Sequence, residues 1–275
     1  MINGGMMKAQ WISFACFLGL GGGVFLWSGL AIATSSGAVQ AVAAPHPNSQ
    51  LHILYDSSLG NLPNAQGFFY LTNPFTPQAT QIYSDGVTIL NTLPEQQEQA
   101  GYFARPQAVP LLQRSHGFTV TFTIQLDEED HDPDNRAGFS VIVLSDDLRG
   151  IELGFWEDQI WAQEGGQPPD LFTRAEGAAF DTTAALTAYH LTIFSDTYTL
   201  VANQTFILSG PVRDYTAFEG QPDPYETPNL VFLGDNTSSA RAQVRLAYMA
   251  ITIPVTDPDP EPPDYHLYLP LMRQP

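Results

Sequence analysis

Arg136–Gln163, RAGFSVIVLSDDLRGIELGFWEDQIWAQ, decides the fold class. Phe139, Val141 and Val143 fall on alternate positions and Ser140 opposes them. After the polar pair Asp146-Asp147, Ile151, Leu153 and Phe155 alternate with Glu152, Gly154 and Trp156. A period of two sends successive side chains to opposite faces, so each run reads as a strand. Glu157-Asp158-Gln159 reads as the next hairpin turn. The stretch is therefore three consecutive antiparallel strands joined by short polar turns.

The same pattern extends outward. Phe118, Val120, Phe122, Ile124 and Leu126 alternate with Thr119, Thr121, Thr123 and Gln125. One face of that strand is apolar and the other rich in hydroxyls. Tyr189–Phe194 and Tyr198–Ala202 flank the turn Ser195-Asp196, and Phe206–Leu208 follows Asn203-Gln204. Asn229–Leu233 and Gln243–Ile253 read as the last strands, and Ser84-Asp85-Gly86 as a turn. The one expected helix is short, Leu93–Gln99, with Pro94 in its first turn. Many closely spaced strands without helices specify a sandwich or barrel.

Composition bounds the function. The formal net charge is −19, from 29 acidic residues against 10 Lys and Arg, and Lys8 is the only lysine. A surface this acidic excludes nucleic acid and anionic lipid as partners and suits cations, neutral glycans or plain solubility. The only cysteine, Cys16, lies in the apolar run Trp11–Ala33, so no disulfide is expected in the sandwich.

That run, with Lys8 before it and Ala41-Val42-Ala43 after it, makes residues 1–43 a signal peptide or a membrane anchor. The expectation is an exported protein, secreted or at the cell surface, touching a membrane only through an uncleaved leader. Residues 51–253 form the sandwich domain, 254–264 a proline-rich acidic linker, and 265–275 a short apolar tail. The tail reads either as a loose end or added edge strand, or as a sorting or docking tag.

RAGFSVIVLSDDLRGIELGFWEDQIWAQ, then YHLTIFSDTYTL, then LGDNTSSARAQVRL resembles the concanavalin A-like lectin/glucanase superfamily in its laminin-G-like jelly-roll form. Within it, the chain looks most like the bacterial exported choice-of-anchor Y proteins. The resemblance covers most of Leu51–Ile253. It implies an antiparallel concanavalin A-like jelly roll and carries no function by itself.

Three groups of residues carry candidate chemistry. Asp130, Asp132 and Asp134 in DEEDHDPDN have the D-x-D-x-D spacing of a Ca²⁺ loop, although Asn135 and Val141 depart from the full pattern. The competing reading is a solvated acidic loop. Trp156 and Trp161, with Glu152, are candidate sugar-binding residues; the competing reading is cross-strand packing. Glu152 and Glu157 invite a glycosidase reading, but their odd spacing puts them on opposite faces of a regular strand. His52, His116, His131 and His190 have no ligand spacing.

These observations lead to an exported, non-catalytic β-sandwich binding module for a glycan or envelope polysaccharide, assisted by calcium. The alternatives are a structural or adhesive surface protein without a small-ligand site, and a glycoside hydrolase-like enzyme using Glu152 and Glu157.

Overall fold

A computed structural model of the protein describes residues 48–72, 77–94, 99–220 and 223–255. The leader 1–43, the tail 265–275, all of the linker beyond Val255 and the centre of the expected helix (95–98) lie outside the described residues.

The chain folds as an all-β antiparallel sandwich of two eight-stranded sheets. In chain order the strands are β1 Ser49–Asp56, β2 Phe68–Thr72, β3 Thr80–Ser84, β4 Val87–Asn91, β5 Ala100–Ala104 and β6 Phe118–His131. Then come β7 Ser140–Leu144, β8 Arg149–Phe155, β9 Gln159–Gln163, β10 Arg174–Ala179 and β11 Thr187–Phe194. The last are β12 Thr197–Ala202, β13 Thr205–Pro211, β14 Arg213–Asp214, β15 Val231–Asp235 and β16 Ala240–Pro254.

Sheet A runs β13-β12-β11-β6-β16-β4-β3, and β1 also pairs with β16. The long β16 shares one edge between two partners, Gln243–Leu246 with β4 and Tyr248–Pro254 with β1. Sheet B runs β10-β9-β8-β7-β15-β5-β2, with β14 on β8. The three strands read from Arg136–Gln163 are β7, β8 and β9 of this sheet.

The alternation sets the core. Phe118, Val120, Phe122, Ile124 and Leu126 of sheet A meet Val141, Val143, Ile151, Leu153 and Phe155 of sheet B. At the centre the Phe122 ring lies 6.0 Å from Phe155 and 5.2 Å from Tyr189. Burying each such side chain stabilises the fold by about 1.5–3 kcal/mol. On the outer face of sheet A the hydroxyls remain, Thr119 against Thr192 at 2.9 Å and Thr121 against His190 at 3.0 Å.

The outer face of sheet B is not left to solvent. Ile142, Leu144 and Phe232 point outward and are covered by Tyr215, Tyr225 and Leu230 in a second apolar cluster. Phe172 and Phe218 extend that cover, with Phe172 stacked on Tyr215 at 5.9 Å and edge-on to Phe218 at 5.6 Å.

Two arginines tie together elements distant in sequence, Arg114 between the sheets and Arg213 within sheet B. Arg114 bonds Asp147 in the β7–β8 turn, and both Asp196 and the Ser195 carbonyl in the β11–β12 turn. Arg213 of β14, 5% exposed, donates to both Glu176 oxygens and to Glu164 at 2.9 Å. Tyr198 of sheet A donates to the same Glu176 carboxylate at 2.6 Å. Burial alone would push the Glu176 carboxyl up; Arg213 and Tyr198 outweigh it and hold it below the usual range. Removing Arg213 takes the charged donor from the half-buried Glu176, and a hydrogen bond to a charged group is worth about 1.5–3 kcal/mol. Arg213→Ala is therefore expected to lower the unfolding free energy by about 2 kcal/mol in urea titration. A change below about 0.5 kcal/mol would mean that the ion pair does not hold this part of sheet B together.

Candidate functional site

Glu152, Trp156 and Trp161, singled out from sequence, fall on one strip of the outer face of sheet B. β7 and β8 pair Ile142 with Glu152, and β8 and β9 pair Gly154 with Trp161. The strip begins at Glu152. The Tyr225 hydroxyl donates to Oε2 at 2.5 Å, and the Asn236 amide donates to Oε1 at 2.8 Å. The Glu152 backbone N–H donates to the Tyr215 hydroxyl at 3.1 Å, which in turn donates to the Gln163 carbonyl at 2.9 Å. Glu152 is 1% exposed, and burial pushes its carboxyl up, against the lowering effect of Tyr225, Asn236 and nearby Arg136.

Beside Glu152 the Trp161 ring lies across Gly154. A Cβ on Gly154 would come within 2.8 Å of that ring, so only glycine admits the indole here. Trp161 is fully buried, its ring packed on the sheet with no face open to solvent. Its Nε1 and the Oε1 of Gln163, two residues on along the same face, are buried without a hydrogen-bond partner. Such buried polar atoms are uncommon.

Trp156 closes the strip just past β8, edge-on to Trp161 at 5.6 Å. His131 stacks on it at 4.0 Å with 3° between planes, and Arg174 lies 4.3 Å from its ring. Two flat groups at that height cannot share one face, so the indole is clamped between them. Its Nε1 donates to the Arg136 carbonyl at 2.8 Å. His131 bonds Glu129 at 2.8 Å, and burial holds the Glu129 carboxyl above its ordinary range despite the Gly138 N–H and His131. His131, Glu129, Gln163 and Asn236 were not identified as site residues from sequence. The only sequence cue was the position of Asn236 in GDNTSS, just before the last strand.

The two glutamates of the glycosidase reading are not brought together. Glu152 is held by Tyr225 and Asn236, whereas Glu157, in the β8–β9 turn, accepts the Glu129 backbone N–H at 3.2 Å.

The aspartates of the calcium reading also take other places. Asp130 lies in β6, not in a loop, and Arg241 binds it through Nε at 3.0 Å and Nη2 at 2.6 Å. The backbone N–H of Asp132 donates to Ser239, and the Asp134 carbonyl accepts from Arg174 at 3.5 Å. Among the described residues no three His, Cys, Asp or Glu side chains converge as a metal site. A carboxylate already neutralised by a guanidinium makes a poor hard-cation ligand, which weakens Asp130 as a Ca²⁺ ligand.

No family model and no curated protein matches the chain. Solved structures do share its fold. A carbohydrate esterase from the Shiga toxin-encoding bacteriophage phi24B aligns with TM-score 0.51 at 11% identity, over 75% of this chain and 100% of that one. The Emp46p carbohydrate recognition domain, in metal-free form, aligns at 0.44 and 9% identity, over 73% and 95%. Alginate lyase A1-II', of polysaccharide lyase family 7, aligns at 0.41 and 10% identity, over 76% and 96%. These neighbours are concanavalin A-like jelly-roll folds. The bacteriophage chain is similar enough to carry the fold; at these identities none carries a function.

The Glu152 environment has a measurable consequence. The folded state keeps a proton that the unfolded chain releases in the ordinary glutamate range, so stability falls as pH rises through and above that range. Glu152→Gln, which mimics the protonated acid, is expected to unfold at higher urea than the wild type at pH 8 and to match it at pH 4. An equal difference at both pH values would mean that Glu152 ionises freely in the fold.

Proposed function

We propose that this chain is an exported, non-catalytic carbohydrate-binding module of the cell surface, in line with its resemblance to the choice-of-anchor Y proteins. Its ligand site is the strip Asn236–Glu152–Trp161–Trp156 on the outer face of sheet B. One observation carries the reading. The Trp156 indole, whose face suits the apolar face of a pyranose, lies at the end of a strip in which Trp161, Glu152 and Asn236 form the largely buried floor beneath it. The fold it shares with a phage carbohydrate esterase supports the same ligand class. The acidic surface directs that choice to neutral glycans. Calcium assistance is the finer form of the proposal, and the pairing of Asp130 with Arg241 leaves it the weaker donor set.

A second reading, a structural surface protein without a small-ligand site, is favoured by a specific observation. Trp161 and Glu152 are sealed and the outer face of sheet B is packed with aromatics.

A glycan-array screen with calcium and again with a chelator separates them. Binding in both conditions, weakened about tenfold by Trp156→Ala, is the expected result and amounts to about 1.4 kcal/mol. Binding lost with the chelator would restore calcium to the site. No binding to any glycan would leave the structural reading.

A further inference from the structure

An open sheet edge is a template for another strand, and proteins guard such edges with charge, proline, bulges or cover. The edges of this sandwich are mostly guarded. β13 ends in Pro211 and has a bulge, and β10 carries Arg174 and Glu176. On β2, Arg105 bonds the Phe68 carbonyl at 3.0 Å and lies over the Phe69 ring at 4.8 Å. β1 differs. It pairs with β16 on one side only. From Leu54 onward its free side is used, since the Leu54 carbonyl accepts the Gly67 N–H and Gln66 bonds Asp56. Over Ser49–Ile53 the sequence SQLHI has no charge and no proline, and among the described residues nothing pairs with its free edge. Leu51 and Ile53 stand 56% and 54% exposed on the outer face of sheet A.

The chain itself supplies a match. β16 ends at Pro254, in register with Ser49, and the Val255 N–H donates to the Asn48 carbonyl at 2.8 Å. The following sequence therefore leaves beside the start of β1. Residues 256–264 are nine, four of them proline, and in extended form reach about 28 Å. The free edge of β1 lies only about 10 Å from β16, two strand spacings away. After the spacer comes Tyr265–Leu269, YHLYL, as long as the unguarded stretch, with Tyr265, Leu267 and Leu269 on one face. Pro270 follows and lacks the N–H needed to continue a ladder.

We propose that Tyr265–Leu269 adds to sheet A as a strand along the free edge of β1, parallel to it, and lays Leu267 and Leu269 beside Leu51 and Ile53. The direction follows from the path: a chain that leaves β16 and turns back runs antiparallel to β16, hence parallel to β1. The added strand hides the unguarded edge and its two exposed aliphatic side chains.

Amide hydrogen exchange tests this on the full chain and on a Leu267→Asp/Leu269→Asp double variant, which alters no residue of the sandwich. The expected result is protection of the outward amides of Ser49–Ile53 in the full chain. Exchange there should be about tenfold faster or more in the variant, with β12 unchanged. Equal exchange of Ser49–Ile53 in both chains would overturn the proposal. So would protection that survives the double substitution but falls on dilution, which would assign the edge to a second copy of the chain.

Discussion

Sheet B has to be buried on both faces. All five residues of β7, Ser140–Leu144, are out of solvent, so the strand sends Val141 and Val143 to the inter-sheet core and Ile142 and Leu144 to the opposite side. An uncovered outer face would expose those aliphatics and Phe232, at about 25 cal/mol for every Å². The fold covers them with side chains from the β9–β10 and β14–β15 connections, Phe172, Phe218, Tyr215 and Tyr225, which meet in edge-on and tilted contacts between 5.3 and 5.6 Å apart. Much of the character of the candidate site follows from that covering. Glu152 lies on the sealed face, so its carboxyl loses water and prefers its proton. Tyr215 and Tyr225 serve as cover and as hydrogen-bond partners at once.

The few cations are placed with equal economy. In a chain with net charge −19, Arg114, Arg213, Arg241 and Arg245 are each paired with a particular carboxylate. Arg114 joins sheet to sheet, and Arg213 ties β14 to β10 and to the β9–β10 connection within sheet B; each restrains elements distant in sequence. Arg241 and Arg245 of β16 neutralise Asp130 and Asp127 on the adjacent β6, the acidic end of the longest strand pair. Without them β6 would carry Asp127, Glu128, Glu129 and Asp130 in succession along one ladder. Asp130, one of the three residues that suggested a calcium loop, is thus part of a cross-strand charge pattern.

A D-x-D-x-D spacing has period two, which is also the period of a strand, so the motif alone does not say where the strand ends: Asp130 lies in β6, and Asp132 and Asp134 lie past its end. β6, β8 and β11 were legible because one face of each is largely apolar and alternates with a more polar one, and β7 because it is a short, continuous apolar run bounded by turn residues. β10, with the sequence RAEGAA, gives no alternation to read, and its partly exposed edge position explains why it needs none. The sequence placed Glu152, Trp156 and Trp161 near each other because they lie within one hairpin. It could not reveal that Trp161 and Glu152 are sealed, because the seal comes from Tyr215 and Tyr225, more than fifty residues further along. Burial on an outer face is a long-range property, and local periodicity carries no information about it.

The two indoles then have different roles for an energetic reason. Freeing Trp161 for a ligand would strip it from a packed site, a loss comparable to the 3–5 kcal/mol of a large-to-small core substitution. No single sugar contact offsets that. Trp156 is held by weaker forces: a cation–π contact of about 0.5–2 kcal/mol with Arg174, and a stacked His131 whose ring is partly exposed. Arg174 is also tied to the Gln159 side chain, so displacing it sacrifices one hydrogen bond of about 1 kcal/mol as well. A pyranose face stacking on the indole regains an amount of the same order. The exchange is close to balanced, and Trp156 is the indole of this strip that a ligand can uncover without unfolding the cover of sheet B.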